Sequence, residues 1–152
     1  MRRPTRRQFL QGAAGLGLVA ALRPYPVEAT PASMQDAIRR VVGSARVNPG
    51  RVKLELPPLS ENGNTVPLTV SLESPMTDAD HVRAFHVFTE KNPQPDVASF
   101  RFGPRAGRAR VSTRIRLADT QTVIALGELH DGSFWSASAT VVVTLAACLE
   151  DA

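Results

Sequence analysis

The sequence predicts an all-β protein, an immunoglobulin-like antiparallel β-sandwich preceded by one short helix. Three observations lead to this fold class. Apolar and polar residues alternate in several short segments, clusters of Pro, Gly, Asn and Asp separate these segments, and only one segment has helical periodicity. Without an N-terminal leader, about 120 residues remain, which is enough for one domain.

The helix is predicted over residues 34–42. Its apolar residues follow the i, i+3, i+4, i+7, i+8 spacing of one helical face, and they are Met34, Ala37, Ile38, Val41 and Val42. Ser33 is expected to cap the N-terminus, and Gly43 is expected to end the helix.

Seven strands are predicted after the helix, where several segments alternate with a period of two, one is short and aromatic, and the last is a long run. They cover residues 52–56, 66–72, 81–89, 97–102, 108–117, 123–129 and 134–145. The pair Asn62-Gly63 indicates a turn, and Asp131-Gly132 indicates a hairpin between the last two strands. This spacing of strands and turns is typical of a sandwich.

Residues 1–29 are predicted to be a signal peptide rather than part of the fold. The run Thr5-Arg6-Arg7-Gln8-Phe9-Leu10 matches a twin-arginine export pattern, and Val27-Glu28-Ala29 suits cleavage after Ala29. The apolar stretch 12–22 is shorter than the roughly 20 residues that span a bilayer. We therefore expect export to the periplasm, and no membrane attachment after cleavage.

Removing the leader changes the charge balance of the protein. The whole chain has 18 basic and 14 acidic residues, a net charge of +4. The leader contains five of the arginines and Glu28, so the remainder holds thirteen residues of each sign. A neutral mature protein offers no bulk electrostatic argument for a nucleic-acid partner.

Cys148 is the only cysteine of the chain. In an oxidising compartment its thiol is free, paired with another chain or chemically loaded, because no second thiol exists within the chain. It follows the apolar run 141–145, close to the end of the sequence, where chains usually fray. A thiol on such an arm can enter the active site of another protein, as a covalent carrier requires.

The histidines do not predict a metal site or a catalytic set. His81 and His86 are five residues apart on one predicted strand, so they point to opposite faces, and His130 lies at a turn. No nucleophile with a recognisable base and acid is evident, and no Gly-x-Ser-x-Gly motif occurs. We therefore expect no metal site and no cofactor.

Four arginines share one face of the predicted strand 108–117 because they are evenly spaced. They are Arg108, Arg110, Arg114 and Arg116. One interpretation is the solvated outer face that is ordinary in a sandwich. The other interpretation is a patch that contacts anions or an acidic partner.

Several motifs in order resemble the SoxY family of the thiosulfate-oxidising (Sox) system. Between residues 61 and 93 the chain carries Glu61-Asn62-Gly63 with Val66-Pro67, Ser74-Pro75-Met76-Thr77 with Asp80-His81-Val82, and Asn92-Pro93. Between residues 102 and 134 it carries Phe102-Gly103-Pro104, Gly107-Arg108-Ala109, Thr113-Arg114-Ile115-Arg116-Leu117-Ala118 and Asp131-Gly132-Ser133-Phe134. The resemblance runs from about Met34 to Cys148. It implies a SoxY-like domain over residues 30–145 and an arm over residues 146–152.

The resemblance implies a sulfur carrier that pairs with a second small β protein, a SoxZ-like subunit. Sulfur intermediates would be attached to Cys148. A periplasmic haem enzyme would join thiosulfate to the thiol oxidatively, a hydrolase would release sulfate, and the carrier itself would not catalyse these steps.

The arm departs from the family pattern, in which the cysteine is flanked by Gly-Gly on both sides. This chain has Ala146-Ala147-Cys148-Leu149-Glu150-Asp151-Ala152, so the thiol is kept while the backbone freedom of glycine is lost. Nearby acidic residues also disfavour the reactive thiolate. Two alternatives to a working carrier therefore stay open: a diverged SoxY-like binding subunit of another periplasmic oxidation pathway, and an unrelated adhesion or binding sandwich.

Overall fold

The computed structural model describes residues 30–146, so the predicted leader lies outside the described residues. Within them the chain forms helix α1 (Pro31–Val42), nine strands and a short 3₁₀ turn (Pro104–Ala106). The strands are β1 (Val47–Pro49), β2 (Val52–Glu55), β3 (Leu59–Ser60), β4 (Val66–Leu72), β5 (Val82–Thr89), β6 (Asp96–Arg101), β7 (Ala109–Ile115), β8 (Gln121–Leu129) and β9 (Phe134–Val143).

The strands form two sheets that pack face to face. The large sheet has the order β1-β9-β8-β5-β6, and β3 also pairs with β9. The small sheet has the order β2-β4-β7. All pairs are antiparallel except β1 with β9 and β3 with β9, which are parallel. The predicted immunoglobulin-like sandwich is confirmed.

The main core lies between the two sheets and is built from the inward-facing residues of both. Its fully buried side chains include Val66, Val70, Phe85, Val123 and Val141. Gly127 on β8 keeps the sheets close at one point. A Cβ atom there would lie 3.1 Å from the Cγ2 of Val52 and 3.2 Å from the Cδ1 of Leu72.

Helix α1 packs on the outer face of the large sheet. Its buried residues Met34, Ala37 and Ile38 form a second apolar cluster with Phe88 and Leu126. The predicted apolar face of the helix is therefore the face that is buried. No helix among residues 30–146 is long and apolar enough to cross a membrane.

The cap of α1 differs from the prediction. Thr30, not Ser33, is the N-cap, and its hydroxyl accepts a hydrogen bond of 3.2 Å from the Ser33 amide. In return, the Ser33 hydroxyl contacts the Thr30 amide at 2.8 Å. Pro31 lies at the start of the helix, where a missing amide hydrogen costs no intrahelical bond, so the helix begins three residues earlier than predicted.

A bulge in β5 changes which residues share a face. Simple alternation predicts that Val82 lies on the same face as Phe88. In the structure Arg83 is an extra residue between two pairs with β8, and Val82 joins Phe85 in the core between the sheets. Phe88 instead faces α1. A bulge inserts one residue on one strand, and it therefore reverses the side-chain alternation beyond it.

Two strands were not predicted, because β1 and β3 have only three and two residues and show no alternation. Both pair with the outer edge of β9. β8 begins at Gln121, two residues before the predicted start, and β9 ends at Val143, two residues before the predicted end. The last difference bears on the functional site, because the arm begins where β9 ends.

Candidate functional site

Cys148 lies outside the described residues, but the structure shows how the chain leading to it is held. The segment 58–63 runs beside the end of β9. The amide of Val142 donates to the carbonyl of Pro58 at 2.9 Å, and the amide of Thr144 donates to the carbonyl of Ser60 at 3.1 Å. Backbone hydrogen bonds therefore continue past the last residue of β9.

The final bond of this series joins Leu145 to a buried glycine. The amide of Gly63 donates to the carbonyl of Leu145 at 2.8 Å, and the carbonyl of Gly63 accepts from the amide of Leu117 at 2.8 Å. On the other side, the hydroxyl of Thr120 accepts from the amide of Val143 at 2.9 Å. We call this set of bonds around residues 142–145 the arm base.

The arm base limits how far the thiol extends from the domain. Cys148 comes three residues after Leu145, and three residues of extended chain span at most about 11 Å. An enzyme that reacts with the thiol must therefore bring its reacting atoms within about that distance of the arm base.

Three large apolar side chains are exposed at the arm base. Leu59 is 51% exposed, Val142 is 44% exposed and Leu145 is 69% exposed. Leu59 and Val142 are direct partners in the parallel pair of β3 and β9. These residues form an apolar rim, defined by Leu59, Val142 and Leu145, around the point where the arm leaves the domain.

A buried polar network supports the loops next to the arm base. The side-chain oxygen of Asn92 accepts from the amide of Ala118 and from the Nε2 of Gln121, both at 3.0 Å. The Asn92 Nδ2 donates to the carbonyl of Arg116 at 2.8 Å, and the Gln121 Oε1 accepts from the amide of Lys91 at 2.7 Å. Since all these groups are paired, the network fixes the loop between β7 and β8.

The four sequence-predicted arginines are all exposed on or beside β7. Arg110 and Arg114 lie on the strand, Arg108 precedes it and Arg116 follows it. The structure does not bring the four together at one site. Arg108 and Arg110 line a groove, whereas Arg114 and Arg116 are not among its lining residues.

This groove lies on the outer face of the small sheet and has a volume of about 810 Å³. It contains two cationic residues that the sequence analysis did not identify, Arg51 and Lys53. The residues that line it are Arg51, Lys53, Ser71, Leu72, Glu73, Ser74, Arg108, Ala109 and Arg110. We call it the basic groove. Only the pairing of β2 with β4 and of β4 with β7 brings these residues together.

Glu55 interacts with two cations of the basic groove. Its carboxylate lies 3.0 Å from the Lys53 Nζ and 3.4 Å from the Arg110 Nη2. The hydrogen bond from Lys53, together with the nearby charges of Lys53 and Arg110, lowers the pKa of Glu55. The spacing of Lys53 and Arg110 thus suits one carboxylate between them.

His86 lies on the large sheet, away from the basic groove. Its Nδ1 is 2.9 Å from the hydroxyl of Ser99, and its Nε2 is 3.8 Å from a carboxylate oxygen of Glu128, without a hydrogen bond. Burial lowers the pKa of His86, Glu128 opposes that shift, and Arg101 adds to it. The neutral imidazole is therefore the favoured form.

The other two histidines lie together at one end of the large sheet. The rings of His81 and His130 are 5.6 Å apart, and the Nδ1 of His130 is 3.9 Å from a carboxylate oxygen of Asp80. The Nδ1 of His81 contacts the carbonyl of Thr77 at 2.9 Å. Across residues 30–146, no group of three or more potential ligand residues could hold a metal ion.

The fold and the arm base define the class of the protein. It is an immunoglobulin-like sandwich whose last strand, held at its end by neighbouring loops, leads to an arm with a single thiol. The chain matches the family model of the sulfur oxidation protein SoxY over residues 38–148, most of its length. The chain therefore belongs to the SoxY family.

Solved structures agree with this assignment. The sulfur carrier protein SoxY from Chlorobium limicola f thiosulfatophilum is similar at 30% sequence identity with a TM-score of 0.63, covering 75% of this chain and 98% of that one. A search of curated proteins returned no match.

Superoxide reductases have a similar sandwich. Neelaredoxin from Ignicoccus hospitalis has 17% identity and a TM-score of 0.56, covering 62% of this chain and 80% of that one. A superoxide reductase homologue from Thermotoga maritima has 22% identity and a TM-score of 0.53, covering 67% of this chain and 89% of that one. At these identities the likeness concerns the fold alone.

Proposed function

We propose that this protein is a periplasmic sulfur carrier of thiosulfate oxidation, which holds sulfur intermediates covalently on Cys148 and works as a complex with a SoxZ-like subunit. The observation that carries the proposal is the extent of the family match, which ends at Cys148. The arm sequence around this residue has diverged, yet the match includes the one thiol of the chain.

The chemistry at the thiol has two steps. In the first, the Cys148 thiolate and the terminal sulfur of thiosulfate form an S–S bond and release two electrons, which a haem enzyme accepts. In the second, water attacks the terminal sulfonate group, the bond between the two outer sulfurs breaks, sulfate and one proton leave, and a persulfide remains on Cys148. Both steps take place in partner enzymes, since the carrier supplies only the thiol.

The arm base supports this division of roles. A carrier must present its thiol at a defined place while its own fold stays intact. The bonds at Val142, Thr144 and Leu145 hold the chain up to three residues before Cys148. The apolar rim surrounds that point, so a partner enzyme that admits the arm comes close to exposed apolar surface.

Mass spectrometry of the purified protein tests the loading. After incubation with thiosulfate, an electron acceptor and the haem enzyme, we expect an adduct of thiosulfate mass on the peptide that contains Cys148. Hydrolase should convert it to a persulfide. The Cys148→Ser variant has no thiol and serves as the matched control. An unmodified Cys148 under conditions that load a glycine-armed SoxY would contradict the proposal.

Export and partner binding need separate tests. We expect Arg6→Lys and Arg7→Lys together to retain the protein in the cytoplasm, because the twin-arginine route reads both arginines. Co-expression with a SoxZ-like subunit should give a complex of one copy each by size-exclusion chromatography with light scattering. If the double variant is still exported, the twin-arginine route is wrong. If this chain elutes alone, the complex with a SoxZ-like subunit is wrong.

A second candidate function is favoured by the arm itself. Ala146, Ala147 and Leu149 occupy positions where the family has glycine, and Glu150 and Asp151 add negative charge. This composition favours a diverged SoxY-like subunit that binds its partner in another periplasmic oxidation pathway and does not load the cysteine. An unmodified thiol together with a stable SoxZ-like complex would support this second function.

A further inference from the structure

The basic groove is organised in rows that cross the small sheet. In one row Lys53, Ser71 and Arg110 are direct neighbours on β2, β4 and β7. Neighbouring strands lie about 4.8 Å apart, so the two cationic residues start about 10 Å apart with a small residue between them. The floor of the groove is therefore open, and its two walls are cationic.

Two cations of the groove already bind a carboxylate of the same domain. Glu55, one row away, contacts both Lys53 and Arg110. The remaining two cations of the groove, Arg51 and Arg108, form no ion pair with any residue between 30 and 146, although Glu73 also lines the groove. The guanidinium groups of Arg51 and Arg108 are thus not neutralised by a carboxylate among these residues.

Arg51 is held in position before any ligand arrives. Its guanidinium lies 5.2 Å from the centre of the Trp135 ring, in a cation–π arrangement. Arg51 also has a positive φ of 55°, directly after Gly50 with φ 93°. A cation that is already ordered loses less conformational entropy when it binds an anion.

We propose that the basic groove binds an acidic, extended segment of a partner protein, with carboxylates placed between Arg51 or Lys53 on one wall and Arg108 or Arg110 on the other. The groove volume of about 810 Å³ accommodates several residues of an extended chain, far more than one inorganic oxyanion occupies. The sequence after residue 29 is neutral as a whole, so this local excess of cations is a specific feature of one face.

This surface is separate from the sulfur-carrying arm. β7 begins at the groove and ends beside Leu117, which the Gly63 bonds connect to the arm base. Six residue steps along β7 correspond to about 20 Å, whereas the arm reaches about 11 Å from Leu145. The basic groove and the arm base therefore lie at opposite ends of β7.

The test uses the full mature chain, labelled with ¹⁵N, and a capped peptide of about eight residues that alternates Glu with Val. We expect chemical-shift changes at the amides of Ser71, Glu73, Ala109 and Arg110. Binding should weaken about tenfold when the salt concentration rises from about 20 mM to about 200 mM. A peptide with Lys in place of Glu should cause no such changes.

Variants separate the groove from general surface charge. Arg108→Glu with Arg110→Glu should weaken peptide binding about tenfold. Two controls should change it less than twofold: Arg114→Glu, on the same strand and face but outside the groove, and Arg40→Glu, on α1 at the opposite side of the sandwich.

Three results would overturn the proposal. Equal loss of binding in Arg114→Glu would mean diffuse attraction to the β7 edge rather than a site. Displacement of the peptide by sodium sulfate at matched ionic strength would assign the groove to small oxyanions. If the peptide causes no chemical-shift changes in the folded wild-type chain, the groove does not bind it. The arginines would then serve only to keep the edge strand β7 from pairing with another chain.

Discussion

The amide of Gly63 donates a 2.8 Å hydrogen bond to the carbonyl of Leu145, three residues before the only cysteine of the chain. This bond is the last one that the structure shows before the arm. It connects the arm to the interior, because the carbonyl of Gly63 is bonded in turn to Leu117. The end of the described chain is therefore held by loops that are distant in sequence.

Releasing the arm base should make the thiol more mobile. Thr144→Pro removes the amide that donates to Ser60, whereas the control Thr144→Ala keeps it. With a spin label on Cys148, we expect narrower electron paramagnetic resonance lines in the proline variant only. The free energy of unfolding should fall by about 1 kcal/mol. Identical spectra in both variants would show that this bond does not restrict the arm.

Restoring glycine around Cys148 should raise the rate at which a partner enzyme loads the thiol. We expect Ala146→Gly, Ala147→Gly and Leu149→Gly together to speed loading of Cys148 by a partner enzyme about tenfold, because the backbone gains freedom and the side chain beside the thiol is removed. Iodoacetamide, a small reagent, should react at a nearly unchanged rate and provides the control. Equal loading rates would mean that the alanines and leucine fit the partner channel as they are.

Removing Asn92 should destabilise the loops next to the arm base. Asn92→Ala removes the partner of the Ala118 amide, the Arg116 carbonyl and the Gln121 Nε2. We expect the free energy of unfolding to fall by about 3 kcal/mol in urea titrations. Thr69→Ala, which removes an exposed hydroxyl pair with Ser112, should cost less than about 1 kcal/mol. A comparable loss in both variants would contradict the importance of the network.

His86 should make stability depend on pH. Burial holds its folded-state pKa below the usual value of 6.5, so the unfolded chain binds the proton more strongly. The stabilisation is complete above about pH 6.5 and is lost progressively as the pH falls below it. Chemical unfolding at several pH values should show a smaller slope in His86→Gln than in the wild type. An unchanged slope would mean that other groups determine the pH dependence.

The fold was predictable because its signals are local. Seven of the nine strands between residues 30 and 146 lie in alternating or strongly apolar segments bounded by turn residues, and α1 has a clear apolar face. β1 and β3 were missed because three and two residues carry no periodicity. The bulge at Arg83 was missed because it depends on the register with β8, which the β5 sequence does not encode alone.

The candidate site was predictable only in part. The thiol and the even spacing of arginines on β7 are visible in the chain itself. The basic groove is not, because Arg51 and Lys53 are more than fifty residues away from Arg108 and Arg110 and meet them only through β4. Lys53 was identifiable as an outward residue of an alternating strand, but its neighbours across the sheet were not. The prediction that Cys148 carries sulfur stays a prediction.

The pairing of β9 has a mechanical consequence for a protein that is pulled by its tail. β9 is bonded along one edge to β8, and along the other to β1 near its start and β3 near its end. Tension applied through the carboxyl-terminal segment acts along the strand, so these bonds carry load in shear and must yield together. A pull on the carboxyl-terminal segment therefore loads several strand pairs at once and does not unzip the sandwich one bond at a time.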